Sequence, residues 1–291
     1  MIDRLINGFQ ALSYGSLLGL GLLFGIAAAN YKALPFVSTL RILPAVLRLL
    51  KPRLPPWHRA VKAKIAAVTP PGVPFATAPA LTSLAASPRL FRHQVTTSRA
   101  VAADLDINVH KSNSTFFADA DIGRTRLLAD LLSDGLAGLG PANFILAGAQ
   151  CRFLREVRPY AAYDVSSRVL AWTDRSFYVV TYFLKPRAKL PFEIDVLGGP
   201  QALLSAADDG LRRKVYAVLV TKFVFKAGRA TVAPEQILRA SGLLVDDDGS
   251  NTDGGEKTTT GVGLPREGML HGQNVDAAVK AGLEYVARCM E

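Results

Sequence analysis

Residues 104 to 117, DLDINVHKSNSTFF, set Asp104, Asp106, Asn108, His110 and Asn113 within ten positions of a chain that holds only four histidines. These side chains are equipped for acid–base chemistry. A carboxylate can take a proton from water or attack a carbonyl itself, an imidazole passes protons near neutral pH, and amides orient both. A helix starting near residues 112 to 114 would aim its free N–H groups and positive dipole end at the same place, where they would stabilise an oxyanion. With Asp106, Asn108 and His110 on the loop leading in, that arrangement suits acyl transfer at a thioester. The same residue types also serve a plainer end, because Asp and Asn ahead of a helix cap its first turn and a lone His simply packs. Local sequence leaves both readings open.

Other chemistries fail on spacing. Asp104, Asp106 and Asn108 imitate the start of a calcium loop, but Val109 stands where its glycine belongs and Thr115 where its bidentate Glu belongs. His58, His93, His271, Cys151 and Cys289 show no paired zinc spacing, so neither metal nor cofactor is expected. GLAGLGPANF lacks a preceding strand and a Lys-Ser/Thr pair, and no G-x-S-x-G occurs.

The elements that must hold these residues are readable by period. Phe117, Ile122, Leu127, Leu128, Leu131 and Leu132 give the segment after the motif a wide apolar helical face. Apolar, β-branched stretches at 143–154, 163–172, 175–184 and 215–226 read as strands, with Thr173-Asp174 as a hairpin turn between two of them. One helix followed by antiparallel strands is an α+β pattern, in which the sheet buries a face against the helix. Residues 185–213, richer in turn signals, read as an insertion.

The chain ends differ from this body. Residues 5–31 carry no charged side chain and are long enough to span a bilayer, and we read them as an uncleaved anchor in preference to a signal peptide ending at the alanines 27–29. Residues 1–100 hold 12 Lys or Arg and one acid, Asp3, so the net charge of +10 belongs to the N-terminal third. Those cations sit among Leu, Val and Pro after the apolar run, which fits an anionic membrane surface and not nucleic acid. Lys32, Arg41, Arg48, Lys51 and Arg53 outweigh the N-terminal charge and place the body in the cytosol, on the endoplasmic reticulum membrane. Residues 34–50 suit a short or proline-broken helix in the headgroup layer. Two cysteines, Cys151 and Cys289, fit a reducing compartment. The resulting division is 1–60 anchor and basic interfacial segment, 61–88 Pro/Ala-rich linker, 89–240 the α+β domain that carries the motif, and 241–291 disordered linker with a C-terminal amphipathic helix opened by Asn274.

The order Asp-x-Asn-x-His, then Asn, an aromatic and a helix, resembles the motif of hotdog-fold acyl thioesterases, including plant acyl-carrier-protein thioesterases with their D-x-N-x-H-V-N-N pattern. Over about residues 88–240, DLDINVHKSNSTFFADAD and RVLAWTDRSFYVVTYFL are most similar to membrane-anchored thioesterase-like proteins of animals and thioesterases of fungal secondary-metabolite clusters. The resemblance implies a hotdog fold, an antiparallel sheet wrapped around a central helix. It implies the catalytic residues Asp106, Asn108 and His110, with Asn113 and Glu156 as additional candidates; Lys111 and Ser112 depart from the pattern's Val-Asn. It also implies a homodimer acting on acyl-CoA or an acyl chain, polyketides included, on a carrier protein. A hotdog hydratase would have an extra residue between Asn and His, where Val109 stands alone. A membrane-tethered acyl-binding protein without catalysis would keep the fold and not need Asp106.

Overall fold

The computed structural model describes residues 14–50, 84–86, 89–139, 142–205, 209–246 and 272–290, and the four apolar stretches form its main strands. In chain order the elements are helices α1 (Tyr14–Ala29) and α2 (Val37–Leu50), strands β1 (Leu84–Ala86) and β2 (Gln94–Arg99), the long helix α3 (Asn113–Gly138), and strands β3 (Ala142–Phe153), β4 (Ala162–Trp172) and β5 (Phe177–Leu184). Helices α4 (Gly199–Ser205) and α5 (Asp209–Arg212) follow, then β6 (Val215–Ala227), β7 (Ala230–Val232), α6 (Pro234–Ala240), β8 (Leu244–Asp246) and α7 (Gly272–Met290).

The main sheet runs β2-β4-β5-β6-β3, antiparallel throughout, with β7 on β6. Every residue of β5 is buried, which is why FYVVTYFL reads as a continuous apolar run without alternation. Trp172 pairs with Phe177, so the hairpin loop is Thr173–Ser176, closed by the Thr173 N–H to Ser176 O bond (2.8 Å) and longer than the Thr-Asp pair expected.

Strand β4 is gripped from both faces. On one side lies α3, whose Leu127, Leu128, Leu131, Leu132 and Leu136 enter the main core while Phe116 and Ala120 pack with Tyr163, Val165, Phe183 and Leu219. A Cβ on Gly123 would lie 2.9 Å from Ser167 Oγ, so glycine sets how closely α3 meets the strand. On the other side α7 buries Val275, Ala278, Val279 and Tyr285, and a Cβ on Gly282 would come 2.6 Å from the Leu170 carbonyl. The C-terminal amphipathic helix is therefore part of the core, and it starts at Gly272, leaving Asn274 inside it instead of at its N-cap.

The insertion folds as a single π turn (Glu193–Leu197) with α4 and α5, burying Val196, Leu203, Leu204 and Leu211. Asp195 on that turn is fully buried and takes Arg168 of β4 in a two-pronged pair, Nε to Oδ2 at 2.7 Å and Nη2 to Oδ1 at 2.9 Å. A guanidinium this deep persists only when so matched.

Helix α1 is 16 residues long, about 24 Å of rise against about 30 Å of hydrocarbon core. No helix among the described residues is long and apolar enough to cross a membrane. Its side chains are exposed, Leu18 at 76% and Phe24 at 77%. The expected anchor also includes residues 5–13, which lie outside the described residues, as do Lys51 and Arg53, most of the 61–88 linker and the 247–271 stretch. Helix α2 runs unbroken through Pro44 and packs on α3, with Arg126 donating to the Arg41 carbonyl (2.7 Å) and Arg48 paired with Asp130 (2.5 Å). Residues 84–86, assigned to the linker by sequence, pair with β8.

Candidate active site

The motif folds as a tight turn immediately ahead of α3. Leu105 and Lys111 form a β-bridge, and inside it the Asp106 N–H donates to His110 O and the Val109 N–H to Asp106 O, each at 3.0 Å. Asp106 Oδ1 accepts the Asn108 N–H at 2.9 Å, an Asx turn. Closing this turn puts Val109 at φ +59°, a left-handed conformation that a β-branched residue rarely adopts. The result is a fixed platform with Ile107 fully outside, 97% exposed.

On that platform His110 stands between two carboxylates, Nδ1 at 3.5 Å from Asp106 Oδ1 and Nε2 at 3.6 Å from Glu156 Oε1. Glu156 comes from the β3–β4 connection, which is tied to the turn by the Lys111 N–H to Val157 O bond (3.0 Å). Of the residues singled out by sequence, Asp106, His110 and Glu156 are thus brought together. Asn108 contributes its N–H and is otherwise exposed; Asn113 is the exposed first residue of α3.

The helix start answers the capping alternative. Ser112 occupies the N-cap without a side-chain cap bond, its N–H held by Asp104 O (2.8 Å), and the first helical N–H to be accepted is that of Thr115, by Ser112 O (3.0 Å). Asp106 caps its own turn and not α3. The N–H groups of Asn113 and Ser114 precede the first intrahelical bond and point out of the helix end, as an oxyanion requires.

Beneath this surface lies a second, buried group of charges. Lys32, from the turn after α1, reaches Asp104 Oδ2 at 2.6 Å, Asp119 Oδ2 at 2.8 Å and the Tyr163 hydroxyl at 3.1 Å. Lys111 donates to Asp119 Oδ2 and Thr115 Oγ1, both at 2.8 Å, and Tyr163 donates to the same Asp119 oxygen at 2.5 Å. Burial lowers the Lys111 ammonium from its ordinary value despite Asp119. Burial alone would raise the Asp119 carboxyl, but Lys111 and Lys32 hold it below the usual carboxylate range. Burial, then Asp119, pushes the Tyr163 hydroxyl up, so it stays a donor. An acid in the second turn of α3 could simply complement the helix dipole, but Asp119 is buried. Its position three residues after Phe116 and four before Gly123, on the face turned to the sheet, is the signal that marks it as buried.

Two further arrangements have the residue types of nucleophilic catalysis without its conditions. Ser166 Oγ, His93 and Asp195 are strung at 2.7 Å and 2.7 Å, but Ser166 is buried and Asp195 is already neutralised by Arg168 and bonded by Tyr182. Such an Asp has little charge left to stabilise an imidazolium. Burial pushes the Cys151 thiol up to about 12, which leaves no thiolate at neutral pH. Beside Glu156, an open cleft of about 590 Å³ is lined by Leu154, Arg155, Arg158, Ala161, Lys185 and Tyr216.

Residues 101–240 match the family model of the thioesterase-like superfamily. Over 170 residues the chain is 40% identical to thioesterase poxG of Penicillium oxalicum, covering 53% of this chain and 55% of that protein. Over 176 residues it is 35% identical to probable thioesterase atnL of Emericella nidulans, covering 54% and 56%. With thioesterase lcsJ of Purpureocillium lilacinum it shares 28% identity over 243 residues, 77% of this chain and 71% of that one. The chain spans little more than half the length of the first two relatives. The turn, helix α3 and strands β3 to β7 all fall within the matched segment, so residues 101–240 are similar to the thioesterase-like superfamily by sequence, and their architecture, an antiparallel sheet packed on one long helix, is of the hotdog type.

Proposed function

We propose that the chain hydrolyses acyl thioesters, with Asp106 as the group that activates water. The observation that carries this reading is the turn itself, where a part-exposed carboxylate stands 3.5 Å from an imidazole at the entrance of a 26-residue helix. Asp106 Oδ1 is engaged by the Asn108 N–H and His110; among the described residues Oδ2 accepts no hydrogen bond and is free for water. Asp106 takes a proton as that water attacks the carbonyl carbon and passes it to His110 across their 3.5 Å contact, the Asn113 and Ser114 N–H groups hold the oxyanion, and as the oxyanion collapses and the C–S bond breaks the His110 imidazolium, steadied by Glu156, gives that proton to the departing thiolate. Asn108 keeps Asp106 in its rotamer.

The cations Arg155, Arg158 and Lys185 around the cleft beside Glu156 favour a thiol carrier that bears phosphate, either coenzyme A or the phosphopantetheine of a carrier protein. The released acid serves lipid or secondary-metabolite biosynthesis. A second copy completes the domain along β3, whose outer edge pairs with no described strand and which exposes Ile145 and Leu146. The N-terminal segment holds the protein on a membrane with the domain on the cytosolic side, supported by the exposed apolar side chains of α1 and the excess of Lys and Arg over acids in the first hundred residues.

Assay of the full chain in detergent against acyl-CoAs of graded length tests the activity. Turnover of at least one is expected; binding without hydrolysis would make this a tethered acyl-binding protein. Carbonate extraction that releases the intact protein would overturn the membrane reading, and a glycan on the Asn113-Ser114-Thr115 sequon would reverse the orientation.

A further inference from the structure

The turn after α1 reaches the domain through Asn30 and Lys32. Asn30 Nδ2 donates to Ile26 O at the end of α1 (3.0 Å), while its Oδ1 accepts the Ala103 N–H (3.3 Å) in the turn that carries Asp104. Lys32, two residues on, is 9% exposed at its side chain and contacts Asp104, Asp119 and Tyr163, which lie 72, 87 and 131 positions away. The groups facing it are Asp104 from the turn, Lys111 from the loop, Asp119 from α3 and Tyr163 from β4, with Ser98 of β2 bonded to Asp119 at 3.4 Å. Two ammonium groups therefore meet two carboxylates around a neutral phenol. Lys111 alone cannot balance the pair, since it lies 2.8 Å from Asp119 but 3.9 Å from Asp104.

Asp104 is the residue whose carbonyl holds the Ser112 N–H and whose carboxylate accepts the Val101 N–H at 3.2 Å, so it fixes both ends of the segment that presents Asp106 and His110. We infer that Lys32 is a positioning residue of the thioester site: it supplies the second positive charge that keeps Asp104 and Asp119 together beneath the catalytic turn, and it ties that turn to the apolar N-terminal helix. The inference rests on the proposed hydrolytic reading for its effect on turnover, while its effect on the turn is independent of that reading. Without Lys32 the buried group carries one negative charge too many, which a low-dielectric site relieves by taking up a proton or by opening.

The test uses the full chain in detergent with Lys32→Met, Lys32→Arg and the double variant Lys32→Met/Asp104→Asn. Amide hydrogen exchange over residues 104–112 and steady-state kinetics on the best acyl-CoA are read together. Lys32→Met should speed exchange there and lower kcat, each ~10-fold, with KM within about twofold, because the turn moves and not the carrier-binding cleft. Relative to wild type, the kcat loss should shrink as the pH is lowered from about 8 to about 5, as a proton replaces the missing charge. Lys32→Arg should keep the charge and most of the rate. The double variant restores balance, one ammonium against one carboxylate, and should recover at least about half of the loss on a logarithmic scale. A double variant no better than Lys32→Met overturns charge balance as the role, and so does a Lys32→Met turn that exchanges and turns over like wild type. If wild type hydrolyses no thioester, the proposed function falls, and exchange in the three variants still decides what Lys32 does. If Lys32→Met does not fold, a folded double variant supports the inference and an unfolded one beside intact Lys32→Arg overturns it.

Discussion

Asp104 and Asp106 are separated by one residue and occupy opposite environments. Asp104 is buried against two lysines, whereas Asp106 sits part-exposed on a turn that the backbone closes around it. The buried acid is spent on neutralising partners and holding N–H groups, so it is rigid and unavailable for proton transfer. The exposed acid is held by one N–H and one imidazole, which fix its direction and leave an oxygen free. The contrast separates support from chemistry: charges that meet inside low dielectric determine where the turn lies, and charges that meet water at its rim are the ones able to react.

The strongest way to break this contrast is to attack the buried side. Asp119→Ala leaves Lys32 and Lys111 without their shared carboxylate, and urea unfolding should show a loss of about 3–5 kcal/mol. A loss under ~1 kcal/mol would mean that these charges are solvated.

On the exposed side the signature reverses. Asp106→Asn should cut turnover at least ~100-fold, equivalent to about 2.7 kcal/mol of barrier, with the melting temperature nearly unchanged. Asp104→Asn should act mainly on stability and reduce turnover far less. Equal kinetic losses in the two variants would erase the distinction between them.

Acid should expose the same difference without mutation. The Asp119 and Asp195 carboxyls are both held below their ordinary range, despite burial, by the Lys and Arg cations beside them. Their stabilisation is complete above the unfolded value of about 4 and is lost as pH falls through the lower folded values. The melting temperature should therefore hold from neutrality to about pH 4 and fall below it. A decline already under way near pH 6 would place the acid-sensitive groups elsewhere.

Two smaller effects sharpen the picture. Val109→Gly relieves the left-handed conformation at an exposed site and should stabilise by about 1 kcal/mol in a thermal melt; destabilisation would show that the valine side chain contributes more than its backbone costs. Arg48→Ala removes an exposed pair with Asp130 and should change stability by less than ~1 kcal/mol. A larger loss would mean that α2 is clamped to α3 by that pair instead of by apolar packing.

What could be read in the amino-acid sequence is what neighbouring positions decide among themselves. The four strands, the apolar face of α3 and the hairpin near Thr173 follow from residue period and turn chemistry. The grouping of Asp106, Asn108 and His110 is equally local, because the three hydrogen bonds inside the turn, Asp106 N–H to His110 O, Val109 N–H to Asp106 O and Asn108 N–H to Asp106 Oδ1, join residues two to four positions apart. Elements shaped by a distant partner carried no such signal. Leu84–Ala86 is a strand only because Leu244–Asp246 lies beside it, and α7 looked like a tail because an amphipathic helix does not say which surface its apolar stripe will cover. Glu156 lies 46 positions after His110 and meets it only through the fold. Lys32 read as one of several cations outside a membrane, yet it is buried between carboxylates far along the chain, as Arg168 is with an Asp195 supplied by the insertion. Such pairing depends on which charges are drawn out of water together, and in this chain only the packing of α1's trailing turn, α3 and the sheet determines that.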